Sequence, residues 1–375
     1  MADANTYLNS RFMGEHADAY TAGGLHPVYL GDILGGRYQA FRKLGSGSQC
    51  TVWLARDKSA PTRQLRAVKV YKAKSSEQMR KLVDSMKRVS HPGENHVELP
   101  FDSFTIQGSR GAHLCTVVEP LGCFISQLVG EAYSKRAELN EEDEQRAAPG
   151  DPWSVKFARR ACRQVLVGLD YLHKRRIAHR DIAGRNICFA LPYDLSALDE
   201  NKIMESVWPE EKPKTAETAE EEATNSSSGS DDDAPPPQWK LDMDECEWRI
   251  AEQWDACELG DARAEPLSDA WNKANFYNSR ESIELLQRRD GKPLGPDEIQ
   301  YTVAPTGMNT KFGLENVIDP ASLRSFRLVL TDLGLACPFE ECGKTPMPTV
   351  VDYAAPEALL GQPDVPASDI YALGL

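Results

Sequence analysis

Hydrophobic periodicity changes once along this chain, and that change limits the possible folds more than any other feature of the sequence. Positions 38–70 have the β-branched and apolar pattern of strands, with a glycine-rich turn between two of them. The other elements predicted for the first 120 residues are one helix and two strands, over 76–89, 97–106 and 113–118. At 153–173, by contrast, apolar residues recur every three or four positions, as in an amphipathic helix. The pattern therefore predicts an α+β protein, with a small sheet first and a helical part after it.

A long acidic segment interrupts the second part. The chain has 375 residues and a formal charge of −14, and positions 199–247 hold 16 acidic against 4 basic residues. Within them, 209–237 is too polar and too acidic to bury the apolar surface that would offset the entropy of ordering, which predicts disorder. The surrounding insertion, 191–320, nevertheless carries five of the seven tryptophans, so part of it is expected to pack against the rest of the protein.

The composition indicates a protein that stays inside the cell. No apolar run approaches the roughly 20 residues of a membrane helix, and the start of the chain lacks the basic-then-apolar pattern of a secretory signal. The nine cysteines are scattered and include no CxxC pair, which favours free thiols over disulfides or a zinc site. The acidic excess argues against direct contact with nucleic acid.

The glycine-rich turn is the first element with a chemical meaning. It lies between two predicted strands and comprises Leu44, Gly45, Ser46, Gly47 and Ser48. Glycines let backbone N–H groups approach phosphate oxygens, because no Cβ stands in the way. Such turns are common, and this one alone does not identify a site. Lys69 follows on the next predicted strand, where its ammonium can bind the same phosphates.

Two further groups of polar residues follow the amphipathic helix. Asp181 and Asn186 stand five residues apart in the sequence HRDIAGRN (179–186). Asp181 would accept or orient the proton of a substrate hydroxyl, and Asn186 would hold a metal ion. A second carboxylate for magnesium, Asp332, follows the predicted strand 326–330, and an Ala-Pro-Glu sequence ends 25 residues beyond it. The order and spacing of all five elements support one interpretation.

These elements are the signatures of protein kinases, and the chain resembles a divergent member of the SR-protein-specific kinase (SRPK) family, similar to the fungal type. The sequences GGLHPVYLGD (23–32) and TVWL (51–54) resemble the beginning of the family's sheet. Asp332 is followed by Leu rather than Phe, and a long acidic spacer precedes it, as in that family. The resemblance covers 23–190 and 320–375. It implies a bilobal kinase fold, with a β-rich N-lobe and a helical C-lobe, that phosphorylates serine or threonine with ATP.

The resemblance assigns a role to each candidate residue. Asp181 and Arg185 would be catalytic, and Asn186 and Asp332 would bind Mg²⁺. The residues expected to bind ATP are Leu44, Gly45, Ser46, Gly47, Ser48, Val52, Ala67, Lys69, Glu119 and Leu121.

The adenine base would be held at the hinge between the lobes. Glu119 and Leu121 would offer it a backbone C=O and a backbone N–H. Pro120 lacks an N–H, but it falls between the two positions that must bond. Val118 would be the gatekeeper at the back of the adenine site, and Ala67 with Val52 would cover the purine.

One kinase feature is not evident in the sequence. In this fold the glutamate that pairs with the sheet lysine lies on the first helix, but that register holds Leu82 here, and Glu77 and Asp84 are out of register. Glu77 and Asp84 remain as out-of-register substitutes, and the identity of the partner stays open. Without that ion pair Lys69 would be less well oriented toward phosphate, and loss of one such partner typically lowers a rate about 10²- to 10³-fold. The alternative to an active kinase is consequently a weak or inactive pseudokinase that serves as a scaffold.

Departures in the catalytic loop concern specificity and regulation. Ala183 replaces the lysine of serine/threonine kinases, and Arg185 stands where tyrosine kinases have an arginine, but the rest of the resemblance favours serine or threonine. Arg180 gives the loop a cation of the kind that commonly meets a phosphate on the activation segment. The candidate sites for that phosphate are Thr345, Thr349 and Tyr353.

The sequence SDIYALGL (368–375) resembles the first turns of the buried helix that anchors the catalytic loop in kinases. Asp369 is expected to bond the backbone near His179, whereas Glu357 is expected to lack the arginine that usually meets it. From this resemblance we expect an incomplete, truncated C-lobe and a chain of low stability.

The predicted organisation has five parts. They are an N-terminal extension (1–22), the N-lobe (23–120), the first part of the C-lobe with the catalytic loop (121–190), the acidic spacer (191–320), and a last part with the metal-binding Asp motif and the activation segment (321–375). The resemblance implies a protein substrate, which would be Arg/Ser-rich and involved in mRNA processing. We expect a monomer of the cytoplasm and nucleus that contacts neither membrane nor nucleic acid directly.

Overall fold

The computed structural model describes most of the chain outside the acidic insertion. The described residues are 15–60, 64–86, 92–128, 155–191, 283–288, 290–295, 298–303, 305, 326–342, 344, 353–360 and 366–375. The segment predicted to be disordered, 209–237, lies outside them, as do the five tryptophans of the insertion. Among the helices that are described, none has the length and apolar character needed to cross a membrane.

The first part of the chain forms one antiparallel sheet of six strands. They are β1 (Ile33–Leu34), β2 (Tyr38–Ser46), β3 (Cys50–Asp57), β4 (Leu65–Tyr71), β5 (Asp102–Gly108) and β6 (Gly111–Val118), in the spatial order β1-β2-β3-β4-β6-β5. Side chains alternate between the two faces of β4. Val68 and Val70 enter an apolar cluster on the outer face, whereas Lys69 points to the opposite face and lines a cleft. One face of the sheet therefore carries an apolar cluster, and the opposite face lines the cleft.

Helix α1 (Ala73–Ser85) packs against β6, and its buried residues are Ser76, Met79 and Leu82. Met79 and Leu82 belong to the main hydrophobic core. The hydroxyl of Ser76 accepts the backbone N–H of Leu114 at 2.8 Å, which fixes the helix on the strand. A short 3₁₀ helix, Pro92–His96, follows and packs against the helical part of the protein.

The second part is built on a long helix and short strands. The helices are α2 (Val155–Lys174), α3 (Pro356–Leu359) and α4 (Ala367–Gly374), and the strands are β7 (Leu121–Phe124), β8 (Ile177–Ala178), β9 (Ile187–Ala190), β12 (Leu328–Leu330) and β13 (Cys337–Pro338). β12, β9 and β7 form one sheet in that order, and β13 pairs with β8. Gln164 joins α2 to β12, because its amide donates to Phe326 O at 3.1 Å and accepts from Leu328 N at 2.7 Å.

Part of the insertion packs against the N-lobe. Its strands β10 (Ile283–Leu285) and β11 (Tyr301–Val303) form an antiparallel hairpin, and Tyr301 and Val303 join the outer cluster of the six-stranded sheet. The hydroxyl of Tyr301 accepts the Leu30 N–H at 3.1 Å, and its ring lies 4.8 Å from that of Tyr29. The insertion thus covers a face of the N-lobe, although the strands on either side of it, β9 and β12, belong to the other part of the molecule.

The predicted class is confirmed, with a β-rich first part and a helical second part, but several boundaries shift. The helix predicted over 76–89 spans Ala73–Ser85, and the strand predicted to begin at 97 begins at Asp102. The reason for the second shift is that Val97 forms a parallel bridge with Leu330 of β12 instead of pairing within the N-lobe sheet.

Candidate active site

All residues predicted to bind nucleotide line one cleft between the sheet and the helical part. The cleft encloses about 970 Å³ including its open mouth. The predicted residues along its wall are Leu44, Gly45, Ser46, Gly47, Ser48, Val52, Ala67, Lys69, Glu119 and Leu121. Arg185, Asn186 and Asp332 line it as well, and Asp181 stands just behind them in contact with Arg185 and Asn186. Residues from distant parts of the sequence therefore meet at one concave surface.

The glycine-rich turn leaves open space over this cleft. It is closed by a hydrogen bond from Gly47 N to Cys50 O of 2.9 Å. A Cβ added at Gly45 would meet nothing within 4 Å, and one at Gly47 would meet only Cys50 O, at 3.9 Å. Gln49 reaches down to the opposite wall, where a Cβ on Gly334 would lie 3.1 Å from its Cγ. The turn therefore leaves room for a ligand beside its backbone.

Lys69 has a carboxylate partner, which the sequence left unidentified, and this partner is neither Glu77 nor Asp84. Its Nζ donates to Glu98 Oε2, and the two side chains are only 10% and 9% exposed. Leu82 occupies the helix register of the expected glutamate and is buried in the core, whereas Glu77 and Asp84 are exposed. The partner comes instead from the segment between α1 and β5, through a long-range contact that the helix register does not reveal.

Opposing effects act on the ammonium of Lys69. Burial is the largest single effect and disfavours the charged form, but the surrounding groups, led by the Glu98 carboxylate, together outweigh it, so the pKa of Lys69 is raised well above its ordinary value. The side chain therefore remains a cation at neutral pH inside the cleft.

The catalytic loop holds Asp181 through both of its carboxylate oxygens. Oδ1 accepts from the guanidinium of Arg185 at 2.6 Å, and Oδ2 accepts from the amide nitrogen of Asn186 at 2.7 Å. The same nitrogen also donates to the backbone oxygen of Asp181, at 2.8 Å. Because these bonds use the Asn186 nitrogen, its carbonyl oxygen is the atom left to face a metal ion.

The backbone of the loop is anchored by two buried side chains. His179 donates from Nε2 to Thr331 O at 2.9 Å and accepts at Nδ1 from Asp181 N at 3.2 Å, a pattern that assigns the proton to Nε2. Asp369 accepts from His179 N at 2.8 Å and from Arg180 N at 2.7 Å, as expected from the sequence. These bonds hold Arg180 in the left-handed region at φ 68°.

Asp332 stands at the end of β12, beside the catalytic loop. Thr331 N donates to Asn186 O at 2.8 Å, which brings the strand end and the loop together. Asp332 adopts a left-handed φ of 57°, and its carboxylate accepts from Gly334 N at 3.2 Å. The side chain is exposed and lines the cleft next to Asn186. Two oxygen donors therefore share one edge of the cleft.

The hinge lies between strands. β6 ends at Val118 and β7 begins at Leu121, so Glu119 and its neighbour fall outside both ladders. Val118 is buried opposite Ala67 of β4. The side chain of Glu119 pairs with Arg327 from the segment before β12, and Glu119 and Leu121 both line the cleft.

The proposed regulatory contacts are only partly within the described residues. Thr345 and Thr349 lie outside them, and Tyr353 is half-buried, with its ring centre 5.9 Å from the guanidinium of Arg185. Glu357 accepts a hydrogen bond from Ser368 Oγ at 2.8 Å. Activation by phosphorylation therefore stays a prediction.

The donor atoms fit a magnesium nucleotide. Mg²⁺ prefers oxygen ligands and usually takes several of them from phosphate and water, and Asp332 with Asn186 offers one carboxylate and one amide oxygen. In the described part of the chain, no group of three or more His, Cys, Asp or Glu residues could enclose a metal alone. Lys69 supplies the cation for phosphate, and Val52 and Ala67 supply apolar walls for a base.

Glu98 is the residue of this site that sequence reasoning missed. It lines the cleft, yet it lies in a stretch predicted as strand. The sequence did contain one signal for it: Glu98 stands between the apolar Val97 and Leu99, which are expected to be buried. A carboxylate in such a stretch is expected to have a charged partner.

Comparisons with known proteins agree with this geometry. Residues 38–194 match the model of the protein tyrosine and serine/threonine kinase family. Protein kinase dsk1 of Schizosaccharomyces pombe is 33% identical over 187 residues, which are 48% of this chain and 31% of that protein. SRSF protein kinase 3 of Homo sapiens is 35% identical over 178 residues, 45% of this chain and 28% of that protein. Serine/threonine-protein kinase spk-1 of Caenorhabditis elegans is 32% identical over 195 residues, 49% of this chain and 17% of that protein.

The matched region thus spans less than a third of each of these relatives. The family match over 38–194 contains the glycine-rich turn, Lys69, Asp181 and Asn186, all of which lie at the cleft. Taken with the six-stranded sheet and the helical part that follows it, these matches show that residues 38–194 belong to a protein kinase domain similar to those of the three kinases above.

Proposed function

We propose that this protein is an ATP- and Mg²⁺-dependent serine/threonine kinase that phosphorylates protein hydroxyl groups. The observation that carries the proposal is the convergence of Lys69, Asp181, Asn186 and Asp332 around one cleft. The name of the Caenorhabditis elegans relative, a serine/threonine-protein kinase, supports serine/threonine chemistry. The scaffold alternative is weakened, because Lys69 has a carboxylate partner in Glu98 although no helix glutamate was evident in the sequence.

The residues of the chain divide the work of phosphoryl transfer among them. The glycine-rich turn and Lys69 would hold the phosphates, and the hinge backbone would hold the base. Asn186 and Asp332 would bind Mg²⁺, which neutralises charge on the phosphates. Asp181 would orient the substrate hydroxyl and accept its proton, since its carboxylate is already fixed by Arg185 and Asn186. Arg185 would also place a cation near the transferred group.

The test is transfer of radiolabelled phosphate from ATP to a peptide of repeated Arg-Ser dipeptides. Asp181→Asn is the matched variant, because it preserves the shape of the side chain while removing its basicity. We expect incorporation by the protein and a loss of about 10²- to 10⁴-fold in Asp181→Asn. Equal incorporation by the two proteins, or none by either with Mg²⁺ present, would contradict the proposal.

The substrate class is the finer part of the proposal. The name of the human relative refers to SRSF proteins, and by analogy the substrate would be an Arg/Ser-rich protein of mRNA processing. Peptides in which every Ser is replaced by Ala, or by Tyr, distinguish hydroxyl type, and peptides in which Arg is replaced by Lys test the need for a guanidinium. Phosphorylation of the Tyr peptide above the Ser peptide would reverse the assigned specificity.

Location and assembly follow the same analogy. We propose a monomer that moves between cytoplasm and nucleus, with the acidic spacer (191–320) as the segment that holds it in one compartment. Its strongly acidic part, 199–247, is suited to binding basic partners rather than nucleic acid. Fluorescence imaging of the tagged protein with and without 209–237 tests this: an unchanged distribution would assign no such role to that part.

A further inference from the structure

The buried ion pair between Lys69 and Glu98 lies at the centre of the cleft. Both side chains are about nine-tenths buried, and both line the cleft that Asp332 also lines. A buried charge is tolerated only when it is paired, so neither residue could have this position without the other. The pair is therefore a built feature of the cleft and not a surface contact.

The backbone of Glu98 is held by the strand that carries the metal-binding carboxylate. Glu98 N donates to Leu330 O at 2.9 Å, and Val97 pairs with Leu330 as a parallel bridge. Asp332 stands two residues beyond Leu330. The position of the Glu98 carboxylate is consequently set by β12, and Lys69 of the N-lobe is tied through it to the strand end that presents Asp332.

Helix α1 contributes packing to this region but no charge. Its buried side chains are Ser76, Met79 and Leu82, and none of them is ionisable. Its acidic residues Glu77 and Asp84 are exposed, and Glu77 stands 4.0 Å from Lys81 at the surface. A movement of α1 would therefore not change the partner of Lys69.

We propose that Glu98 is the positioning residue that orients Lys69 toward the nucleotide phosphates, in place of a glutamate on α1. This inference rests on the proposed kinase function. It makes the orientation of Lys69 depend on β12 and independent of the helix. The cation is then in place whenever the strand that presents Asp332 is in place.

The experiment compares Glu98→Gln with Glu77→Gln and Asp84→Asn, the matched removals of charge on α1. Two quantities are measured for each: kcat/KM for ATP, and the Kd of a fluorescent ATP analogue with Mg²⁺, which requires no catalysis. For Glu98→Gln we expect kcat/KM to fall about 10²- to 10³-fold and the Kd to rise about tenfold. Both helix variants should stay within about twofold of the unmodified protein.

A cycle with Lys69→Met separates positioning from a general structural role. If Glu98 acts through Lys69, Glu98→Gln should change neither quantity further in the Lys69→Met background. Equal losses in both backgrounds would overturn the proposal, as would a Glu98→Gln protein with unchanged kcat/KM and Kd. A loss in either helix variant that matches the Glu98→Gln loss would return the role to α1.

Two further measurements remove ambiguity. If a thermal melt shows that Glu98→Gln does not fold, Glu98→Asp replaces it, because Asp retains the charge but has a shorter side chain. For Glu98→Asp we expect kcat/KM to fall at least fivefold. An unchanged kcat/KM would refute the positioning role. Should no variant transfer phosphate, the proposed function fails, and the nucleotide Kd alone still decides whether Glu98 acts on Lys69.

Discussion

Asp369 offers the sharpest test of how the catalytic loop is held. Its two carboxylate oxygens accept the backbone N–H groups of His179 and Arg180, at 2.8 and 2.7 Å, and the side chain of His173 at 2.9 Å. Asp369 is only 2% exposed. Replacing Asp369 with Ala would leave both buried N–H groups without an acceptor. The catalytic loop would then lose the contacts that define its backbone.

The magnitude follows from these contacts. Each hydrogen bond to a charged group contributes about 1.5 to 3 kcal/mol, so two of them amount to about 3 to 6 kcal/mol. Release of Arg180 from its left-handed φ of 68° recovers about 1 kcal/mol of strain. The expected net loss for Asp369→Ala is therefore about 2 to 5 kcal/mol, a large part of the 5 to 15 kcal/mol typical of a domain. The loss of stability for Asp369→Asn should lie between zero and the loss for Asp369→Ala, because the amide oxygen of Asn can still accept one N–H.

Urea unfolding of the full chain measures the loss, and hydrogen exchange of the peptide that spans 177–182 locates it. The control is Ile370→Ala on the same helix, since Ile370 is 47% exposed and its truncation should change stability by less than about 0.5 kcal/mol. An Asp369→Ala protein with the unfolding midpoint and exchange rates of the unmodified chain would show that the loop does not depend on this anchor.

Other predictions concern the periphery of the site. Tyr301→Phe removes the acceptor of the Leu30 N–H and should lower the free energy of unfolding by about 1 to 3 kcal/mol in urea; no change would mean that the insertion hairpin does not stabilise the N-lobe. Burial, followed by the proximity of His113, lowers the pKa of His26 to about 4, so the unfolded chain binds more protons between about pH 6.5 and 4. Stability should therefore rise with pH through that window, by at most about 3 kcal/mol, and His26→Gln should flatten the curve. Burial raises the pKa of Cys50 to about 12, so iodoacetamide at neutral pH should alkylate it far more slowly than a small free thiol; equal rates would contradict its burial.

The parts of the site that sequence could predict are those whose geometry is local. The glycine-rich turn and Lys69 lie on consecutive hairpin-connected strands, so their distance is fixed by strand pairing, with Val52 directly opposite Lys69. Asp181 and Asn186 are five residues apart in one tight loop, and their side chains bond to each other. In such cases the spacing along the chain determines the spacing in space.

The parts that sequence could not supply depend on contacts between distant segments. Glu98 reaches Lys69 because Val97 pairs with Leu330, more than 200 positions away, and no local periodicity encodes that bridge. The hydrogen bond from Leu30 N to the hydroxyl of Tyr301 likewise joins segments that are distant in the sequence. The partner of Lys69 was not evident from the sequence because the search followed one helix register, whereas the carboxylate that meets Lys69 comes from another segment of the chain.

The register of β9 and β12 has a consequence for how this chain could acquire so long an insertion. Phe189 lies directly opposite Leu328 in the ladder, so the two points between which the acidic spacer is inserted are already hydrogen-bonded neighbours. A loop whose ends are held together by the surrounding fold can lengthen at little expense, since each doubling adds only about 0.6 kcal/mol of closure entropy. The part of the insertion before the β10–β11 hairpin could therefore change in length at little cost, while the pairing of β9 with β12 keeps the catalytic loop and Asp332 in register.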